Sequence, residues 1–220
     1  MMLSAVTTIL TDFSGVLADD LKPTWLTFCE ILKVYDKPAL TLQEFRYTFS
    51  MPYWKIFEGF GLPEQTAKVR CLQLYKKLIQ GHAPTITVFS DVRSALKSLS
   101  KTKKLGIVSQ TPRSTLEPFL VQHDLLQYFE KIIALEDSTE QKPSPLPLLI
   151  ACESLGCKPS EAAYLGDQYE DIIAAKNARI FSVAISRKHS YHTYPRLLTA
   201  KPDLIISDLR ELVTFGGLRC

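Results

Sequence analysis

The sequence predicts an α/β protein: a doubly wound parallel sheet with a helical segment inserted near its start. Three observations carry that prediction. Val6 to Thr11 is a β-branched, apolar run that breaks at Asp12-Phe13-Ser14-Gly15, as a buried strand ending in a polar loop does. Residues 18–83 then show helical periodicities and no strand signal. Beyond residue 84, strand and helix patterns alternate, which is how a parallel sheet covered on both faces is encoded.

The elements follow in order. From Pro23, the residues Trp25, Phe28, Cys29, Leu32 and Tyr35 share one helical face. Leu40 to Ser50 and Tyr53 to Phe60 predict two shorter helices, separated by Met51-Pro52. Pro63 opens a longer helix with Ala67, Cys71, Leu74, Tyr75 and Leu78 on one stripe, and Gly81-His82-Ala83-Pro84 ends it. Asp91 can cap a helix that runs to Ser100. Lys104 to Val108 is a strand, followed by a Ser-Gln-Thr-Pro loop and a helix from Pro112. Strands are expected at Ile132–Leu135, Ala163–Leu165, Ile180–Ile185 and Leu204–Ile206. Helices are expected from Pro145 to Gly156, from Glu170 to Ala178 and from Asp208. The expected division is a Rossmann-like core, residues 1–17 and 84–220, with a helical insert at 18–83.

Composition narrows the function classes. A chain of 220 residues suits one domain carrying an insert. Apolar residues make up 46% and charged residues 22%, enough for a real core and unlike a disordered chain. The net charge of +3 is too small to argue for nucleic acid or a membrane surface. No apolar run approaches membrane-spanning length. Met1 to Leu10 is apolar without a basic start, so a strand is expected there and not a signal peptide. The cysteines at 29, 71, 152, 157 and 220 are odd in number and match no zinc spacing. Buried or incidental thiols in a reducing, cytoplasmic setting are expected. A monomer and a homodimer both fit.

In such a sheet, ligands bind at the carboxyl ends of the strands. The first strand delivers Asp12 and Ser14. The second delivers Ser109, Thr111 and Arg113. The third leads to Glu136, Asp137 and then Lys142. The fourth delivers Gly166-Asp167 and, one helical turn on, Asp171. Clustered carboxylates repel unless a cation sits among them. Oxygen ligands on a partly hydrated hard cation suggest Mg²⁺. Ser109 and Lys142 suit the remaining oxygens of a phosphate. A carboxylate in line with phosphorus can act as a nucleophile.

These segments resemble the motifs of one known family. Asp12-Phe13-Ser14-Gly15-Val16-Leu17-Ala18-Asp19 resembles the first motif of the haloacid dehalogenase superfamily. Ile107-Val108-Ser109-Gln110-Thr111-Pro112 is similar to its second, Lys142-Pro143-Ser144-Pro145 to its third, and Gly166-Asp167-Gln168-Tyr169-Glu170-Asp171 to its fourth. The motifs stand in the right order, each at a strand end, and the resemblance covers nearly the whole chain. Ala174 to Ala178 and the helical insert resemble the phosphoglycolate phosphatase-like branch.

The resemblance implies a Mg²⁺-dependent hydrolase of a small phosphorylated metabolite. Asp12 would be the nucleophile, forming an aspartyl-phosphate, with Ser109 and Lys142 as its catalytic partners. Ser14, Gly15, Ser109, Gln110 and Lys142 would bind the phosphate. Asp12, Ser14 (by its backbone carbonyl), Asp167 and Asp171 would hold the metal. The insert would be a cap that closes over the substrate. No nucleic acid or membrane partner is implied.

One position departs from the pattern. Phosphatases of this superfamily carry an aspartate two residues after the nucleophile, where this chain has Ser14. A serine hydroxyl does not titrate near neutral pH, and acid–base help is worth ~10²–10⁴-fold. The chain could act on leaving groups that need little protonation, such as acyl phosphates, or take its acid from elsewhere. It could also be a catalytically impaired phosphate-binding relative. A further alternative is cleavage of a carbon–phosphorus bond, because phosphonoacetaldehyde hydrolase resembles this chain in its small residue at that position. Lys55 in Met51-Pro52-Tyr53-Trp54-Lys55 would then be the Schiff-base amine, if desolvated.

Overall fold

The computed structural model describes residues 5–217, so Met1 to Ser4 and Cys220 lie outside the described residues. β1 (Thr8–Thr11) runs into a tight loop and then a two-residue strand, β2 (Ala18–Asp19). Helices α1 (Leu21–Val34), α2 (Leu42–Thr48) and α3 (Lys55–Gly59) follow, then a π-helical stretch, Thr66–Cys71, that runs into α4 (Leu72–His82). β3 (Thr87–Val88) returns antiparallel to β2. β2 departs from the helical reading of residues 18–83, and its partner β3 lies just beyond that range. Both strands are too short to leave a period-2 signal.

The rest of the chain alternates. In order come α5 (Val92–Leu99), β4 (Lys104–Val108), α6 (Arg113–Gln122), β5 (Lys131–Ile133), α7 (Leu146–Leu155) and β6 (Ala162–Gly166). They are followed by α8 (Tyr169–Asn177), β7 (Phe181–Ile185), α9 (Tyr194–Thr199), β8 (Leu204–Ile206) and α10 (Arg210–Gly217). The sequence gives no sign of α9, whose six residues are too few to show a helical period. The expected strand Ile132–Leu135 stops at Ile133, and Leu135 opens a 3₁₀ turn instead.

Six strands form a fully parallel sheet in the order β5-β4-β1-β6-β7-β8. Side chains alternate between its faces, as the pleat requires. Ile9, Leu105, Ile107, Ala163 and Leu165 join one core layer, beneath α5 and α6. Leu10, Val108, Ala162 and Tyr164 join the other, beneath α7 and α8. β1 lies at the centre, between β4 and β6. Thr11 pairs with Ile107 on one side and Leu165 on the other. The residues just past these three strands therefore lie side by side.

The helical insert has its own apolar core. Phe28 of α1 is fully buried at its middle. The rings of Phe45, Phe49, Tyr53, Phe57 and Tyr75 surround it at centroid distances of 4.9–6.0 Å. A capping box at Thr41 and Glu44 starts α2 and points Phe45 into this core. Removing the Phe28 ring leaves a large cavity that the helices cannot all close. Phe28→Ala should cost about 3–5 kcal/mol in urea unfolding. A loss below about 1 kcal/mol would show that the insert does not rest on this ring.

Candidate active site

The strand register brings the carboxylates together. Asp12 follows β1 and Asp167 follows β6. Asp171 sits on the first turn of α8, where the helix dipole favours negative charge. One oxygen from each of Asp12, Asp167 and Asp171 lies within 4.8 Å of the others, and all three residues are buried. Lys142 enters between them. Its Nζ lies 3.0 Å from Asp12 Oδ2 and 2.6 Å from Asp171 Oδ1, and it donates to the Tyr164 hydroxyl at 2.8 Å. That hydroxyl in turn donates to the Val108 carbonyl at 3.0 Å. Asp171 Oδ2 accepts from the Gln168 N–H at 2.9 Å. Both Asp171 oxygens are thus engaged, and the residue anchors Lys142.

Two glycines let the carboxylates approach the backbone. Gly15 has φ +72°, and a Cβ there would fall 2.1 Å from Asp167 Oδ2. A Cβ on Gly166 would fall 2.3 Å from the Asp171 carboxyl. Neither position admits a side chain while the carboxylates keep their places.

The charges are tuned by burial. Burial raises the Asp12 carboxyl to about 6, because the attraction of Lys142 only partly offsets the lost solvation and Asp171 adds repulsion. Burial also raises Asp167 well above the usual carboxylate range, with Asp171 repelling it further. Burial pulls the Lys142 ammonium down, but Asp12 and Asp171 outweigh it and hold the group above the ordinary lysine value. Asp167 Oδ2 accepts from the Tyr191 N–H at 2.5 Å, while its buried Oδ1 has no partner. An orphaned carboxylate oxygen beside two further carboxylates fits a hard cation with oxygen ligands.

The other expected site residues divide. Ser109 is buried at the end of β4, beside Asp12. Its hydroxyl donates to Thr111 Oγ1 and accepts from the Thr111 N–H, each at 3.2 Å. Gln110 is half-buried next to it. Ser14 and Gly15 form the turn after Asp12, where the Gly15 N–H donates to the Ala18 carbonyl at 2.9 Å. Arg113, Glu136 and Asp137 stay outside the carboxylate cluster. Arg113 pairs with Glu117 and Asp137, and its N–H donates to Glu136 Oε2 at 3.1 Å. Lys55 is exposed at the start of α3, so the desolvation that a Schiff-base lysine needs is not met.

Some neighbours of the cluster escape a sequence reading. Arg187 to His192 reads as a basic surface loop, yet Ser190, Tyr191 and His192 are buried. Arg187 forms a two-point pair with Asp91, at 2.9 and 3.1 Å, and is thereby held off the surface. Tyr191 reaches from the core to donate its hydroxyl to Thr24 Oγ1 of α1 at 2.8 Å. His192 Nδ1 accepts from the Tyr169 N–H at 2.8 Å, so Nε2 carries the proton and donates to the Phe49 carbonyl at 3.0 Å. Burial lowers His192 to about 3, with Arg196 adding repulsion, and the ring stays neutral. Asp20, between β2 and α1, is a fourth buried carboxyl near the cluster. Burial raises it to about 7, against hydrogen bonds from Ser14 and Gly15. The apolar alternation of β6 hides Tyr164, and nothing in the local sequence singles out Tyr191 or Asp20.

The model of the haloacid dehalogenase-like hydrolase family matches residues 9–185. A pyrophosphatase PpaX from Bacillus velezensis is 25% identical over 97% of this chain and 98% of its own length. The pyrophosphatase PpaX from Oceanobacillus iheyensis is 27% identical, with the same coverage. A haloacid dehalogenase-like family hydrolase from Streptococcus pneumoniae superposes with a TM-score of 0.84. At 20% identity, over 96% of this chain and 99% of that one, it shares the fold.

The raised carboxyls make a test of the cation site. Asp12 and Asp167 bind protons more tightly in the folded chain than in the unfolded one. Without a cation, stability therefore falls as pH rises from 3.8, the ordinary value, through about 6 and beyond. A cation replaces those protons. Magnesium should raise Tm more at pH 8 than at pH 5. Asp167→Asn should raise the metal-free Tm at pH 8 by about 2–4 °C for each kcal/mol relieved, and should remove the magnesium increment. A magnesium shift that is independent of pH, or that survives in Asp167→Asn, would contradict the assignment.

Proposed function

The chain belongs to the haloacid dehalogenase-like hydrolase family, and from that we propose a Mg²⁺-dependent phosphatase that acts on a small phosphorylated metabolite through Asp12. The observation that carries the reading is the Asp12 carboxylate itself. It stands at the end of the central strand, 3.0 Å from a buried ammonium, with an unpartnered Asp167 oxygen in the same cluster.

Asp12 attacks phosphorus with one carboxylate oxygen as the bond from phosphorus to the leaving group breaks; the resulting aspartyl-phosphate is hydrolysed by water, which releases phosphate and restores Asp12. Lys142, fixed by Asp171 and Tyr164, holds a phosphoryl oxygen and neutralises charge as it builds. Ser109 can turn its hydroxyl from Thr111 to a second oxygen. Asp12 and Asp167 side chains, with the Ser14 carbonyl, are the residues suited to the metal, and Asp171 acts on that shell through Lys142. When bound, Mg²⁺ would supply positive charge to both the carboxylates and the phosphate.

The helices of residues 18–83 act in this reading as a cap. Asp12, Lys142, Asp167 and Asp171 are at most 4% exposed, so the chain as it stands excludes water, and substrate entry requires the cap to open. Free thiols at Cys29, Cys71, Cys152 and Cys157 support a reducing, cytoplasmic setting. No described helix is long and apolar enough to cross a membrane.

The two pyrophosphatase relatives put pyrophosphate among the candidate substrates, beside phosphomonoesters and acyl phosphates. The test is a metal-dependent screen of all three with the wild type and Asp12→Asn side by side. At least one should be hydrolysed with magnesium and not with chelator. Asp12→Asn should lose more than about 10³-fold in kcat. Turnover that survives in a folded Asp12→Asn would remove Asp12 as nucleophile.

A further inference from the structure

We propose that Asp20 provides the acid–base carboxyl that position 14 lacks, serving the leaving-group side of the reaction from the N-cap of the first cap helix. This rests on the reading of Asp12 as nucleophile.

Asp20 stands at the N-cap of α1, where an aspartate ordinarily accepts hydrogen bonds from the first helical N–H groups. Its side chain makes no such bond. It turns back toward the core, and Oδ1 accepts from the Gly15 N–H at 3.1 Å. Gly15 is also the residue whose missing Cβ makes room for the Asp167 carboxyl. Asp20 therefore flanks the turn after the nucleophile, beside the position where the family carries its acid. It is 7% exposed. No salt bridge among the described residues includes it. Buried carboxylates that serve structure are ordinarily paired with a cation.

The chemistry balances. Asp12 attacks phosphorus as the phosphorus–oxygen bond to the leaving alcohol breaks. The electron pair of that bond takes the proton of the Asp20 carboxyl, and the alcohol departs. The Asp20 carboxylate then takes a proton from the water that attacks phospho-Asp12. The bond between phosphorus and Asp12 breaks, phosphate leaves, and both residues return to their starting states.

The test uses the full chain with magnesium, two substrates and a rapid quench. Acetyl phosphate has a leaving group that needs no proton, and glycerol phosphate has one that does. Asp20→Asn keeps an oxygen to accept from Gly15 but cannot exchange a proton, so KM should hold and Tm should not fall. With glycerol phosphate, formation of the phosphoenzyme should slow by ~10²–10⁴-fold. With acetyl phosphate, it should form within a few-fold of the wild-type rate and then accumulate, because its hydrolysis lacks a base. Ser14→Asp in the Asp20→Asn background should restore both steps. Equal slowing with both substrates, or no slowing with either, would overturn the proposal. So would wild-type turnover of acetyl phosphate but not of glycerol phosphate. A wild type with no Asp12-dependent turnover of either would instead remove the reading on which it rests.

Discussion

The site depends on one buried ion cluster: Lys142 set between Asp12 and Asp171, with Asp167 alongside. Three carboxylates in a low-dielectric crevice repel one another, and a single ammonium does not neutralise them. Much of the surrounding fold serves this arrangement. The parallel register sets the strand ends side by side. Gly15 and Gly166 give up their side chains to make room, and the Tyr164 hydroxyl satisfies a proton of Lys142 that would otherwise have no acceptor. The remaining negative charge is held at a cost to stability. Such strain persists where function requires it.

The cluster is tied to the helical insert through the chain after β7. Tyr191 donates its backbone N–H to Asp167 and its hydroxyl to Thr24, while its ring packs on Phe49 at 4.9 Å. The next residue, His192, bridges Tyr169 at the start of α8 to the Phe49 carbonyl. Two neighbouring residues thus link Asp167 and α8 to the insert. A movement of the insert away from the core must break these bonds, so the state of the site and the position of the insert are mechanically joined.

Much of this was legible in the sequence because each chemical motif sits where a strand pattern stops. Asp12, Asp167 and Asp171 are visible as acids at such breaks, and Lys142 as a lysine in a proline-rich turn. The family itself follows from their order. What was not legible depends on contacts far apart in sequence. Tyr191 and His192 lie in a stretch that is polar by composition and is buried only because the insert folds over it. Asp20 resembles an ordinary helix cap until its side chain is seen to turn away from the helix. Arg113 counts among the polar residues after β4, but Glu117 of its own helix and Asp137 after β5 pair with it, away from the cluster. The two-residue strands β2 and β3 and the six-residue α9 are too short for any periodicity to reveal.

The most direct test of the account is to find which atom receives the phosphoryl group. The wild type with magnesium and a hydrolysed substrate, quenched in acid within the first turnover and digested, should yield a phosphoryl group on the peptide that contains Asp12, labile to hydroxylamine as an acyl phosphate is. A phosphoryl group on another residue, or rapid turnover with none on the protein, would contradict it.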